Sequence, residues 1–557
     1  MRPKKGSSNN ESDNGSTDDG TSQKETGTRY DTVEFEFLSE LDTLPLSDNL
    51  EENKKFLKRI FTDCSDVVNR PFTIEKDIPA LALFVDGLVK TELVENALEN
   101  LMIFEGREPD VESLMSRSLP VSQVKTTENY GEFLEGVLNG DTGILLHSNA
   151  KGLLLGIRGP AGRSVNEPET EGVVRGPREG FTENLRINTS LIRRRIKSPH
   201  MKTKPFVLGR RSQTPVALIY VEGLTNPGLI EEAIGRIEKI DVDIMVESGF
   251  LEEFIQDNAF SPFPQMQVSE RPDTVAIALM NGRIAIVIDG TPMVLLLPTT
   301  FYQLLQASED YYERFQMGTL IRWLRYVFLF ISLFMPGLYV AITTYHAELI
   351  PTTLLFSIAS AREHIPFPAV VEALIMEVTF EALREAGIRL PKAVGSAVGI
   401  LGALVVGQAA VEAGIVSAPM VIVVAITGIA SFTIPSFNGA IALRMLRFPF
   451  IVMGAMFGVY GILIALMILI GHMANLRSFG VPYLSPIGPM NPASLTDVFI
   501  RSPNWSIQRR PGFLNVLDDV RVKGSLTKSI WRQRGQKGID VNHGRNDESS
   551  GDGQDEK

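Results

Sequence analysis

The sequence predicts a multidomain protein: an N-terminal two-lobed α/β soluble region followed by an all-α polytopic membrane domain. Three observations carry this. Residues before about Gln316 mix strand-length and helix-length patterns, whereas Trp323 to Met473 holds long apolar runs. Ala82 to Leu98 (ALFVDGLVKTELVENAL) and Ala217 to Ile234 (ALIYVEGLTNPGLIEEAI) repeat one design: strand, acid-Gly-Leu turn, amphipathic helix. That repeat predicts two related lobes facing each other across a cleft. Both chain ends are rich in Ser, Gly, Asn and acids and have few core-forming residues.

In chain order, 1–32 reads as a disordered polar tail and 33–118 as the first lobe. In that lobe Glu51 to Phe61 has helical spacing and Ala80 to Val85 is a strand. Glu92 to Met102 is a helix with Leu93, Val94, Ala97, Leu98 and Leu101 on one face. Residues 119–315 read as the second lobe with a charged linker. Its expected strands are Gly143 to His147, Gly152 to Ile157, Val216 to Val221 and Val242 to Val246, with a helix over Leu229 to Ile240. Thr274 to Leu279 and Arg283 to Ile288 flank Met280-Asn281-Gly282, which reads as a hairpin turn. The linker, Gly156 to Glu183, is Gly- and Pro-rich and long for a structureless loop. A basic helix follows over Ile187 to Lys197. Arg175, Arg178, Glu179, Arg193 and Arg194 are therefore candidates for contacts between lobes, with a partner or with anionic lipid.

The membrane domain is expected over 316–475. Four spans are expected: Trp323 to Thr343 with Pro336-Gly337 as a kink, Ala393 to Val411, Ala418 to Ile434, and Phe448 to Ile470, the strongest. Leu349 to Ala361 is too short to span alone and reads as re-entrant, interfacial or completed by Pro366 to Leu374. Arg314, Arg322, Arg325, Arg384, Arg389, Lys392, Arg444, Arg447 and the tail after Arg477 all prefer the cytoplasm, more than four simple spans satisfy. The expected arrangement has both termini cytoplasmic. Residues 476–532 then form a cytoplasmic segment and 533–557 a second disordered tail.

Composition bounds the chemistry. The chain has 557 residues, is 44% hydrophobic and 22% charged, and carries a net charge of −12 that lies partly in its tails. The single cysteine, Cys64, excludes an intramolecular disulfide and fits a reducing compartment. Met1 to Asp31 has no apolar run, so no cleaved signal is expected. There is no phosphate-binding loop, no Gly-x-Ser-x-Gly elbow and no His or Cys cluster, so neither enzyme chemistry, a cofactor nor a metal site is expected. The basic run Arg193 to Lys197 has no interleaved aromatics, which argues against nucleic acid as a partner.

Two constellations remain. Glu377, Glu381 and Glu385 recur every four residues and share a helix face, with Glu372 off it. Such a face lines a cation-attracting vestibule, or lies in the headgroup zone with Arg384 and Arg389 neutralising it. Thr427 and Ser431 lie four apart, followed by Thr433 and Asn438. Such a hydroxyl stripe wets a pore or bonds a neighbouring helix. On the pore reading Val424 and Ile434 are constrictions.

The stretch PFPAVVEALIMEVTFEALREAGIRLP, within Pro366 to Asn438, closely resembles the GerA family, the A subunits of spore nutrient germinant receptors. So does Arg175 to Ile196, RGPREGFTENLRINTSLIRRRI, preceded by Asn166-Glu167-Pro168. The resemblance covers roughly Leu38 to Asp519. It implies residence in the spore inner membrane and action with a transporter-like B subunit and a lipoprotein C subunit. It implies nutrient sensing that triggers cation release, and self-assembly into a conducting ring. The competing expectation is a membrane-anchored binding or scaffold subunit without a pore. A secondary transporter is disfavoured because no membrane repeat is visible.

Overall fold

The computed structural model describes residues 35, 37–74, 78–103, 123–159, 166–391, 405, 407–491 and 494–522. Both expected tails and most of the Ala393 to Val411 span lie outside them.

The first lobe begins with α1 (Leu50–Ile60). Asn49 caps it by accepting the Glu51 N–H at 3.0 Å. Acids in its first turn and Lys58 and Arg59 in its last complement the helix dipole. Five antiparallel strands follow: β1 (Val67–Ile74), β2 (Ile78–Val85), β3 (Val124–Thr127), β4 (Thr142–Leu146) and β5 (Gly152–Leu155), in spatial order β1-β2-β4-β5-β3. Helix α2 (Thr91–Met102) follows β2, and α3 (Tyr130–Leu138) lies between β3 and β4. The β2 side chains alternate between two cores. Leu81, Leu83 and Val85 face Phe56, Leu57 and Phe133 on one side. Ala80, Ala82 and Phe84 share the other with Val94, Leu98 and Leu101. A strand covered on both faces needs a continuous apolar run, which is why β2 is visible in the sequence.

The second lobe repeats this strand order with one helix added. After α4 (Leu185–Arg195) come β6 (Met201–Leu208), β7 (Thr214–Val221), β8 (Gln267–Ser269), β9 (Ile284–Ile288) and β10 (Val294–Leu297), in order β6-β7-β9-β10-β8. Helices α5 (Pro227–Ile237) and α7 (Pro272–Met280) stand where α2 and α3 stand in the first lobe. An additional helix, α6 (Ser248–Ile255), follows α5.

Three expectations are corrected here. The boundary between 118 and 119 fails, because β3, β4 and β5 pair into the first sheet and carry that lobe through Leu155. Val242 to Val246 is a loop: its Val242 and Asp243 carbonyls accept N–H groups of Arg210 and Arg211, and only Met245 is buried among hydrophobic residues. The expected hairpin at Met280-Asn281-Gly282 is the C-terminus of α7. The Gly282 N–H donates to the Leu279 carbonyl, and φ of 89° at Gly282 gives the left-handed stop. Asn-Gly ends helices as readily as it turns hairpins.

The third part is helical. It comprises α8 (Phe315–Tyr345), α9 (Thr352–Arg362), α10 (Ala369–Arg389), α11 (Ala418–Phe432) and α12 (Phe437–Asn475). By length and composition, α8 and α12 are long and apolar enough to cross a membrane. Pro336 sits inside α8 without ending it. The expected single span Phe448 to Ile470 is corrected: α12 breaks at Gly458, with φ 62° and ψ −145°. Its arms fold back on each other. Gly439 lies against Leu304, while His472 Nε2 is 2.9 Å from Ser261 Oγ, so both ends return to the second lobe. A straight helix of that length would place its ends roughly 58 Å apart. The Gly458 turn sits against Tyr345 and His346 at the far end of α8. Close contact of α8 with the first arm depends on small residues. A Cβ on Gly454 would lie 2.7 Å from the Gly337 carbonyl oxygen. Helix α9, the segment expected to be partial, has no buried residue.

Candidate functional site

The carboxylates of α10 and the ionisable groups they meet on neighbouring helices form the first candidate site. Glu377 of α10 and Arg447 of α12 are each 1% exposed and meet at 2.5 Å. Arg447 also donates to the Ser332 carbonyl at 2.9 Å and to its hydroxyl at 3.2 Å, which ties α8 to the same point. Glu377 Oε1 has no partner among the described residues. Glu372 is fully buried. One of its oxygens accepts Arg362 Nε at 3.2 Å, and the other accepts the Ser417 N–H at 2.9 Å and hydroxyl at 2.8 Å. Glu381 is 31% exposed and lies between Arg384 at 3.2 Å and Arg444 at 3.5 Å. Glu385 is exposed and held by Arg389 at 2.6 Å. Charges in such helices are costly unless paired, and here each carboxylate has its guanidinium.

The three glutamates expected to share a vestibule are thus divided. Glu377 faces the bundle interior, whereas Glu381 and Glu385 stay at the protomer surface. The hydroxyl stripe turns inward. Thr427 donates to the Val423 carbonyl at 2.7 Å, Ser431 to the Gly428 carbonyl at 2.7 Å and Thr433 to the Ala430 carbonyl at 2.8 Å. Arg384 donates to Ser431 at 2.8 Å and stacks over Phe432. Val424 packs among Ala373, Met420 and Ile451, and Ile434 among Leu304 and Leu443. Val424, Thr427, Ser431 and Ile434 are therefore buried within this chain, packed against neighbouring helices. A surface between copies cannot use them in this conformation. Thr433 and Asn438 are half-buried, and Asn438 lines a cavity against Glu171 and Glu247 of the second lobe.

The second cluster joins the lobes to α8. Asp310 is 1% exposed and takes Arg325 through both oxygens at 2.7 and 2.8 Å, with Arg322 at 3.5 Å. Arg322 also reaches the Asp497 backbone carbonyl, and the Asp497 carboxylate at 3.2 Å. The Tyr311 hydroxyl donates to Asp497 at 2.5 Å. Arg501 closes the cluster by donating to the Asp310 and Tyr311 carbonyls, both at 3.1 Å. Burial pushes the Asp497 carboxyl above its ordinary range, against the pull of Arg322. The sequence marks Arg322 and Arg325 only as flanking charges. Asp310, Asp497 and Arg501 carry no local signal, because they meet only in the fold.

The third cluster links the lobes. Arg193 is fully buried and bonds Asp66 of the first lobe through two nitrogens at 2.7 and 2.8 Å. Nearby, the Thr203 N–H donates to the Asp63 carbonyl and Lys202 Nζ to the Ile60 carbonyl. The lobes are bonded directly at this edge. Arg194 reaches the Gly159 carbonyl at 3.3 Å. Arg178 faces Glu167 at 3.9 Å and Glu179 pairs with Arg195 at 2.8 Å, both outside the first lobe. Arg175 is exposed. Among the described residues no group of three or more His, Cys, Asp or Glu is arranged to hold a metal ion.

Known proteins resemble this chain over most of its length. The family described as Bacillus/Clostridium GerA spore germination protein matches residues 55–513. An uncharacterized membrane protein of Bacillus subtilis, YfkQ, is 51% identical over 470 residues, covering 84% of this chain and 92% of its own. Spore germination protein KA of the same organism is 42% identical over 504 residues, covering 90% and 93%. Spore germination protein GerLA of Bacillus cereus is 38% identical over 481 residues, covering 86% and 98%. The crystal structure of the N-terminal domain of the A subunit of the Bacillus megaterium spore germinant receptor GerK3 is 29% identical. It covers 46% of this chain and 97% of that one, with a TM-score of 0.38. The chain belongs to the GerA family of spore germination proteins.

Proposed function

We propose that this chain is the non-enzymatic, membrane-embedded A-type subunit of a spore germinant receptor, assembling with further copies of itself into a gated cation conduit. The observation carrying this reading is the set of carboxylates that α10 lays against arginines of the neighbouring helices, centred on the buried Arg447–Glu377 pair with the apolar α12. Intramembrane charges mark ion paths and moving parts more often than static scaffolding. Burial of the hydroxyl stripe moves the conduit lining to the protomer surface, where Glu381, Glu385, Thr433 and Asn438 remain accessible. The Asp310–Arg325 cluster then transmits movement of the lobes to α8. The partners proposed are a transporter-like B subunit and a lipoprotein C subunit, as the family resemblance implies. The setting proposed is the spore inner membrane, crossed several times, with the lobes and the C-terminal segment in the cytoplasm.

The second reading is a scaffold or binding subunit without a pore. Its support is that every one of the three glutamates has an arginine partner among the described residues. Reconstitution of the receptor with Glu381→Gln and Glu385→Gln together separates the readings. A fall in cation flux with unchanged assembly mass supports the conduit. Unchanged flux removes these acids from any conducting path.

A further inference from the structure

A second feature lies outside the membrane helices. A cavity of ≈ 290 Å³ opens between the C-terminus of α7, the junction that precedes α8 and the segment after α12. That volume is at the lower edge of the roughly 300–1,000 Å³ range of small-molecule sites. Tyr302, Tyr311 and Phe513 supply aromatic surface, and Asn281, Arg509 and Arg521 supply polar ends.

The hydrogen-bonding state of these groups defines the ligand. Asn281 makes no side-chain bond, Tyr302 no hydroxyl bond and Arg521 no ion pair among the described residues. Arg509 is 74% exposed and only loosely faced by Asp519 at 3.6 Å. Arg510, by contrast, is engaged by Asp518 at 2.6 Å and by the Met280 carbonyl at 2.9 Å. The acid in the wall, Asp497, is already bonded by Tyr311 and Arg322. The cavity thus offers free donors and positive charge beside aromatic rings, with its own acid occupied. Guanidinium groups and ring faces together complement a planar anion.

We propose that this cavity binds a small planar anion, a ring bearing a carboxylate or a phosphate. The bound ligand rests against Tyr302 and Phe513, because Arg322 and Arg501 already stand over the Tyr311 ring, with its anionic group toward Arg521 and Arg509. Tyr311 and Asp497 also hold Arg322 of α8, so occupancy ties the C-terminal segment to the base of that helix. This site is independent of whether the assembled protein conducts ions.

The test is calorimetric titration of the full-length protein in lipid nanodiscs with adenosine 5′-monophosphate, adenosine and inorganic phosphate as probes. The monophosphate should bind at least about tenfold more tightly than either of its parts, a difference of about 1.4 kcal/mol. Arg521→Ala and Tyr302→Ala should each weaken it by about fivefold or more, a loss of roughly 1 kcal/mol. Arg521 is at the surface, so its variant should unfold at the wild-type temperature. Absence of monophosphate binding overturns the proposal. So does equal affinity for adenosine, equal affinity for phosphate, or indifference to Arg521→Ala.

Discussion

Arg447 and Glu377 lie 2.5 Å apart, both 1% exposed, and Ser332 takes two further bonds from the same guanidinium. Three helices distant in sequence, α8, α10 and α12, therefore share one charged contact. Removing one partner leaves the other buried without its counter-charge. Glu377→Ala should cost about 3–5 kcal/mol of stability, whereas Glu377→Leu with Arg447→Met should recover most of the loss. Thermal unfolding in detergent checks this. An equal loss in the double variant would mean that packing, not charge, governs the site.

The Arg193–Asp66 pair holds the lobes together and is fully desolvated. Arg193→Ala should destabilise the two-lobed region by about 3–5 kcal/mol. Removal of the exposed Lys54–Glu51 pair should cost no more than about 1 kcal/mol. Limited proteolysis gives an independent reading, since loosened lobes should be cut sooner near Pro199.

Gly458 turns α12 back on itself with a positive φ, and a Cβ there would lie 2.8 Å from His346 Nε2. Gly458→Ala should cost about 1–3 kcal/mol through backbone strain. Gly471, whose Cβ would meet nothing within 4 Å, should tolerate the same change with little loss. Comparing the two unfolding midpoints isolates the turn.

Glu252 sits on α6 beside Glu247 and Glu253, and burial with these acids pushes its carboxyl up to about 7. Between roughly pH 4.5 and 7 the folded protein keeps this proton while the unfolded chain releases it. This group's contribution to stability therefore falls as pH rises across that interval. Glu252→Gln should raise the unfolding temperature at pH 8 and change it little at pH 5. An equal shift at both values would remove the titration from the account.

The parts legible in the sequence are those whose local pattern states their environment. Leu81 and Ala82 belong to a continuous apolar run because both faces of β2 are covered, and the Ala82 and Ala217 repeats mark equivalent positions in two like-ordered sheets. Asn281-Gly282 misleads because helix stops and hairpin turns need the same left-handed residue. Gly458 is hidden for the opposite reason: nothing polar interrupts its apolar surroundings. Glu377, Glu381 and Glu385 are correctly placed on one helix. Their division into one buried and two surface groups depends on Arg447 and Arg444, 70 and 63 residues away from Glu377 and Glu381. Thr427 and Ser431 illustrate the same limit, since helix spacing gives a shared face without saying what covers it.

The most direct test of the central claim is cation flux through the purified protein in liposomes, with the mass of the assembly measured alongside. The account predicts a defined oligomer that passes cations, with flux reduced by Glu381→Gln and Glu385→Gln together. A stable protein that stays monomeric and passes no cations, even with its partner subunits present, would contradict it and leave the scaffold reading in its place.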